Sequence, residues 1–190
     1  MMFTFALIIM GITKMAYKQQ RPFWVDPTLH HKGACDSEFG NPSGHSLIAA
    51  AMAVTIALDI AHHSVNHCKV LWNLLIWTLA AAYFLLMGFS RVVLGVHSLN
   101  QILYGWCLGI WVALFCFFIL HDFLKKRVDS ILSKKTFNVA IDFIVVVIVN
   151  SLLIAAQIIT YAIVSKQDPI QPAWALVVAT LCETPAKLAF

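Results

Sequence analysis

Charge is what this sequence has least of. Asp, Glu, Lys and Arg together make up 12% of its 190 residues, about half the ~25% of an ordinary soluble domain. Hydrophobic residues reach 61% and the mean hydropathy is +0.82. That imbalance is too large for the core of a soluble chain this long, so apolar side chains must face lipid. Paired cysteine motifs are missing too. Cys35, Cys68, Cys107, Cys116 and Cys182 contain no C-x-x-C and no zinc-like spacing, which removes the usual redox and structural-zinc frameworks. Those in or beside apolar runs read as small buried hydrophobes, and no disulfide is assigned. No internal repeat, low-complexity stretch or separate soluble domain stands out, and no nucleic-acid partner is expected.

The apolar residues that are present fall into runs. A bilayer-crossing helix needs roughly 20 mostly apolar residues. Val70–Phe89, Leu99–Leu120 and Val139–Val164 meet that length. Ser46–Ala61 is shorter and contains Asp59, but it is rich in alanine, as a span held between neighbours can be. Met1–Tyr17 supplies another, with Lys14 near its end, and it lacks the basic start and small-residue cleavage site of a signal peptide. Ile170–Leu181 is brief and interrupted by Pro172, which makes a sixth span marginal. The expected fold is an all-α, multi-spanning transmembrane helix bundle of about five or six spans. It forms one membrane-embedded domain over 1–190, with a basic loop at 121–136 and additional C-terminal spans in 137–190.

Alternating the spans sorts the loops. Lys18–Pro42, Ser90–His97 and Ser165–Pro169 share one side; His62–Lys69 and His121–Thr136 share the other. The last loop carries Lys125, Lys126, Arg127, Lys134 and Lys135. Setting aside the basic residues with a chemical use, this excess predicts that His121–Thr136 is cytoplasmic. The long loop then faces a lumen or the exterior.

Three short clusters collect on that non-cytoplasmic side, within residues 14–101. The first is Lys14, six residues, then Arg21-Pro22. Both cations can bend toward one point above a helix exit, where Pro22 disfavours helix at the residue before it. Alone, the pair reads better as basic residues snorkelling at an interface. The second is Pro42-Ser43-Gly44-His45, directly ahead of a span. A helix N-terminus offers amide donors and a positive dipole end to an anion. Alone, it reads equally well as a serine cap beside a surface histidine. The third is Ser90-Arg91, five residues, then His97. A guanidinium fork suits phosphate oxygens, and an imidazole can act as a nucleophile. Alone, this is an ordinary polar turn. Together the clusters converge three cations, a helix N-terminus and two histidines on one membrane face, which describes a site for a phosphate ester.

Lys-x6-Arg-Pro, Pro-Ser-Gly-His and Ser-Arg-x5-His resemble the three signatures of the type 2 phosphatidic acid phosphatase superfamily. That superfamily includes lipid-phosphate phosphatases, glucose-6-phosphatases and vanadium haloperoxidases. Arg21-Pro22-Phe23-Trp24-Val25, and Cys35-Asp36-Ser37 ahead of Gly40–His45, resemble glucose-6-phosphatase more closely. The resemblance implies that His97 attacks phosphorus to form a phosphohistidine, while His45 protonates the leaving group and then activates water. Lys14, Arg21, Ser43, Gly44 and Arg91 would hold the phosphoryl oxygens. Gln101, where most relatives carry Asp, would accept an N–H from His97, since positions four apart share a helix face. Glucose-6-phosphatase is similar in having Gln there. Relatives usually have two further spans before the first signature, so the core is expected to lack the usual first two helices.

No metal or other cofactor is implied, because side-chain cations already neutralise the phosphate. Partners are a phosphorylated small molecule or lipid and the membrane itself, with protein partners left open. The favoured substrate is a sugar phosphate, in a luminal site of the endoplasmic reticulum or another endomembrane. A lipid or isoprenoid phosphate is the alternative, and a non-catalytic subunit retaining the motifs is a third. His62, His63 and His67 have loosely metal-like spacing but no accompanying acid or thiolate arrangement. His30-His31 reads as loop surface or site entrance.

Overall fold

A computed structural model describes residues 2–26, 29, 38–63, 69–120, 125–126, 129, 137–167 and 171–181. Every regular element among them is helical. In chain order they are α1 (Met2–Tyr17), α2 (Pro22–Val25), α3 (Gly44–His63), α4 (Lys69–Val93), α5 (Leu99–Phe115), α6 (Phe137–Gln167) and α7 (Pro172–Leu181). The last turn of α5 widens into a π-helical segment, Cys116–Leu120.

Among the described residues four helices are long and apolar enough to cross a membrane: Gly44–His63, Lys69–Val93, Leu99–Leu120 and Phe143–Val164. The expected first span is helical over only 16 residues, short of the roughly 20 that a full crossing needs. The marginal sixth is helical over ten, because Pro172 opens α7 rather than interrupting it; proline is tolerated at a first helical position, where its missing N–H is not needed. Lys125, Lys126 and Asp129 are helical, and the rest of the basic loop lies outside the described residues, as do His30, His31, Cys35, Asp36, Ser37 and His67.

The bundle centres on α3, which packs on α1, α4 and above all α5. Ala49, Ala50, Ala51, Ala53 and Ala57 of α3 are all buried. Ala50 and Ala51 meet Gly109, while Ser43, Ser46 and Leu47 meet Gly105, one turn earlier on α5. A Cβ on Gly109 would stand 2.3 Å from the Leu47 carbonyl oxygen, and one on Gly105 would stand 2.8 Å from that of Ser43. In lipid there is no hydrophobic force between apolar helices, so close backbone approach over small residues supplies the attraction. Leu47, Ala51, Val112, Cys116 and Ala6 form the apolar centre. A second cluster of Phe23, Trp24, Phe39, Val96 and Val178 ties α2 and α7 to the loops at the opposite end of α5. That clamps the connections carrying the three motifs.

Candidate active site

All three motifs lie at one end of the bundle, where α1 and α4 finish and α3 and α5 begin. After α1 the chain turns sharply: the Lys18 N–H closes on the Lys14 carbonyl and Lys18 takes a left-handed φ of 44°. Arg21 is then extended, with φ −80° and ψ 153°, the conformation that a following proline imposes. Its guanidinium turns inward and is almost wholly buried. Nε donates to the Glu38 carbonyl at 2.7 Å and Nη1 to the Val96 carbonyl at 3.2 Å. These main-chain acceptors hold the fork in one orientation.

His97 sits in the α4–α5 connection and is 3% exposed. Its Nδ1 lies 3.1 Å from Gln101 Oε1, and its Nε2 lies 3.2 Å from Arg21 Nη1. The Gln101 amide has only one sensible orientation. Its oxygen accepts the Ser98 N–H at 3.3 Å and its nitrogen donates to the Gln20 carbonyl at 2.9 Å. An amide oxygen facing Nδ1 requires a proton on Nδ1. Arginine can only donate, so Nε2 must present its lone pair. His97 is therefore held as the neutral Nδ1–H tautomer, with the unprotonated Nε2 toward Arg21. Burial, with the positive charges of Arg21 and Lys14 adding to it, pushes its pKa down to about 3. The same Gln101 completes a capping box with Ser98 at the start of α5. Gly40 makes room for it: a Cβ there would come within 2.6 Å of the Gln101 amide nitrogen.

A cavity of about 280 Å³ opens beside His97, lined by Lys14, Arg21, Glu38, Gly44 and His45, with Met10, Ile48, Ala49, Tyr83 and Met87 as its apolar wall. Gly44 and His45 are the first two residues of α3, whose leading amides find no acceptor within the helix and favour an anion. Gly44 also lets α1 approach, since a Cβ there would stand 2.5 Å from Met10 Sδ. The two histidines differ in setting. His97 is buried and doubly anchored; His45 is exposed and faces the same cavity.

Five of the residues singled out by sequence thus line one cavity. Three stand elsewhere. Gln101 lies behind His97. Ser43 is fully buried; its N–H donates to the Gln101 carbonyl at 3.0 Å, and its Oγ accepts the Ser46 hydroxyl at 3.0 Å. It braces the junction of α3 and α5. Arg91, in the last turn of α4, donates from Nε to the Ser90 hydroxyl at 3.3 Å and is not among the lining residues. Glu38 is the residue that sequence reasoning missed. Its carboxylate pairs with Lys14 Nζ. At the far end of α3, His62 and His63 stack edge to face at 4.9 Å. Among the described residues no group of three or more His, Cys, Asp or Glu is placed to hold a metal ion.

No curated protein and no solved structure matches the chain. The PAP2 superfamily matches it over residues 1–125, a segment that holds every cavity-lining residue named above and ends before α6. At the level of the superfamily this match supports a phosphatase. With two thirds of its length matched and the motifs gathered at one end of a membrane bundle, the chain belongs to the PAP2 superfamily.

Proposed function

We propose that this chain hydrolyses phosphomonoesters through a phosphohistidine on His97. The observation that carries this is the fixed tautomer of His97, which points an unprotonated Nε2 toward the cavity cations. In the first step the Nε2 lone pair attacks phosphorus, the P–O ester bond breaks, and His45 gives its proton to the departing alkoxide. In the second, His45 takes a proton from water, hydroxide attacks phosphorus, the P–N bond breaks and phosphate leaves. Lys14, Arg21 and the α3 N-terminus stabilise the equatorial oxygens in both steps. Arg91 reaches the phosphate only if its guanidinium leaves Ser90.

The geometry favours an amphiphilic phosphate. An apolar groove of about 350 Å³ runs between α3 and α4 past Met52, Ile56, Ile60, Ile76 and Leu79 to Tyr83. Tyr83 also walls the catalytic cavity, so a hydrocarbon chain could lie in the groove while its phosphate reaches His97. A second reading, a soluble sugar phosphate, is favoured by Arg21–Trp24 and by Gln101, the features that resemble glucose-6-phosphatase. The basic Lys125–Lys135 loop supports a site on the luminal or exterior side of an endomembrane.

The test is a side-by-side assay of lipid phosphate and glucose 6-phosphate on membranes containing the full chain. His97→Ala should remove the acid-labile phosphoenzyme and lower turnover by on the order of 10⁴-fold or more. Ile56→Trp should fill the groove and depress only the lipid reaction. Full activity in His97→Ala would end the mechanism, and an unchanged lipid rate in Ile56→Trp would return the substrate to the sugar class.

A further inference from the structure

The pair Lys14–Glu38 stands inside the catalytic cavity, and hydrolysis as described gives Glu38 no task. The two side chains differ in exposure. That of Lys14 is 10% exposed at the end of α1, that of Glu38 52% exposed at the cavity mouth. A second cavity, about 470 Å³, lies between α1 and α6 and is also bordered by Lys14 and Glu38. The carboxylate therefore stands in the wall common to both spaces. Burial alone would raise its pKa, but the hydrogen bond from Lys14 and the charges of Lys14, Arg21 and His45 outweigh burial and hold it below the ordinary carboxylate range. It is an anion at neutral pH, facing those three groups on α1, the α1–α2 connection and α3.

A phosphoryl group entering the cavity seeks the same ammonium. Two anions cannot share one partner at a few ångströms without repulsion, and the half-exposed carboxylate is the one able to swing to solvent. We propose that Glu38 is a displaceable counter-anion of Lys14 that determines specificity. It holds the ammonium until a phosphoryl group takes its place, and from the mouth it then disfavours esters whose alcohol carries a further negative charge. The substrate class this selects is a monoester of a neutral or cationic alcohol. The inference rests on the phosphatase reading above.

The experiment uses the purified full chain in detergent and inorganic phosphate as the probe, with binding measured by calorimetry. Glu38→Gln should bind phosphate about tenfold more tightly than the wild type, since one nearby opposing charge is worth on the order of one or more decades. A purely structural role, in which Glu38 positions Lys14, gives the opposite sign. Competition by glycerol 3-phosphate and 3-phosphoglycerate, matched in size and differing by a carboxylate, reads the selectivity. The wild type should prefer the first, and Glu38→Gln should lose that preference. Glu38→Ala replaces the Gln variant if the latter does not fold. Equal or weaker phosphate binding in the variant overturns the role of Glu38 alone. No phosphate binding by the wild type overturns the phosphatase reading, and this inference with it.

Discussion

Helices α5 and α6 are both long apolar spans, yet the bundle treats them differently. On α5, Gly105, Gly109, Val112 and Ala113 are buried against α3. On α6, Ile144, Val145, Val146, Val147, Ile148 and Val149 are all about half exposed, so no face of that stretch is turned into the protein. Hydropathy alone does not separate the two. What separates them is the placement of small residues: α5 offers two glycines one turn apart to an alanine-rich partner, whereas this stretch of α6 offers β-branched bulk on every side. In a membrane, large apolar side chains are satisfied by lipid, and only small ones draw helices together. The cavity-lining residues Gly44, His45 and His97 accordingly sit on the α3–α5 pair and its connections. α6 meets the bundle mainly along α1, where Gln157 lies against Gly11.

The largest expected effect comes from breaking the tight pair. Gly109→Val places a branched side chain where even a Cβ would meet the Leu47 carbonyl at 2.3 Å. The obstacle is backbone, which cannot rotate aside. Overpacking of this kind costs ~1–3 kcal/mol and sometimes more, and the strain falls on the turn of α3 that follows His45. Thermal unfolding in detergent should shift down by many degrees, with phosphate binding lost in parallel. Unchanged stability would mean that the α3–α5 contact is not what holds the bundle.

A smaller effect, confined to the site, is expected at the Gln101–His97 pair. Gln101→Leu strips an acceptor from His97 Nδ1–H and from the Ser98 N–H, and a donor from the Gln20 carbonyl. Without the amide oxygen the tautomer is no longer imposed. Loss of such an orienting partner typically costs ~10–100-fold in activity, here in kcat more than in KM. His97 also couples stability to pH. Its unfolded pKa is near ~6.5 and its folded pKa is about 3, so between those values the unfolded chain binds a proton that the folded chain does not. Stability from this group is complete above ~6.5 and is lost progressively as pH falls toward 3. Melting temperatures taken across that range should show an acid slope that flattens in His97→Ala. An identical slope in both proteins would show that His97 is not held neutral.

This contrast also explains what could be read from the sequence. Lys14, Arg21, Gly44, His45 and His97 were legible because each stands at fixed spacing beside a proline, a glycine or a span boundary, so local chain geometry sets their direction. The tautomer lock was half legible: Gln101 at the fourth position after His97 predicts an acceptor, but its second partner, the Gln20 carbonyl, comes from another connection. Glu38 gave no signal, since its meaning depends on a lysine 24 residues away across a loop with no periodicity. Ser43 and Arg91 matched the motif, yet their directions are settled by Ser46, Gln101 and Ser90, contacts that no motif contains. Spans were visible as apolar runs, and α1 ends at Tyr17, where its apolar run ends.

The smallest effect is expected on α6, and it is the sharpest check on the contrast. Val147→Ala removes two methyl groups from a side chain that is 45% exposed in the second turn of the span Phe143–Val164. In a soluble core the same deletion would leave a cavity and cost a few kcal/mol. Here lipid fills the space, alanine is the better helix former, and the change should lie within about ±0.5 kcal/mol, with activity unaltered. Unfolding monitored in the same detergent as Gly109→Val makes the two directly comparable. A cost for Val147→Ala approaching that of Gly109→Val would break the distinction, because it would mean that this face of α6 is packed against protein in the membrane rather than against lipid.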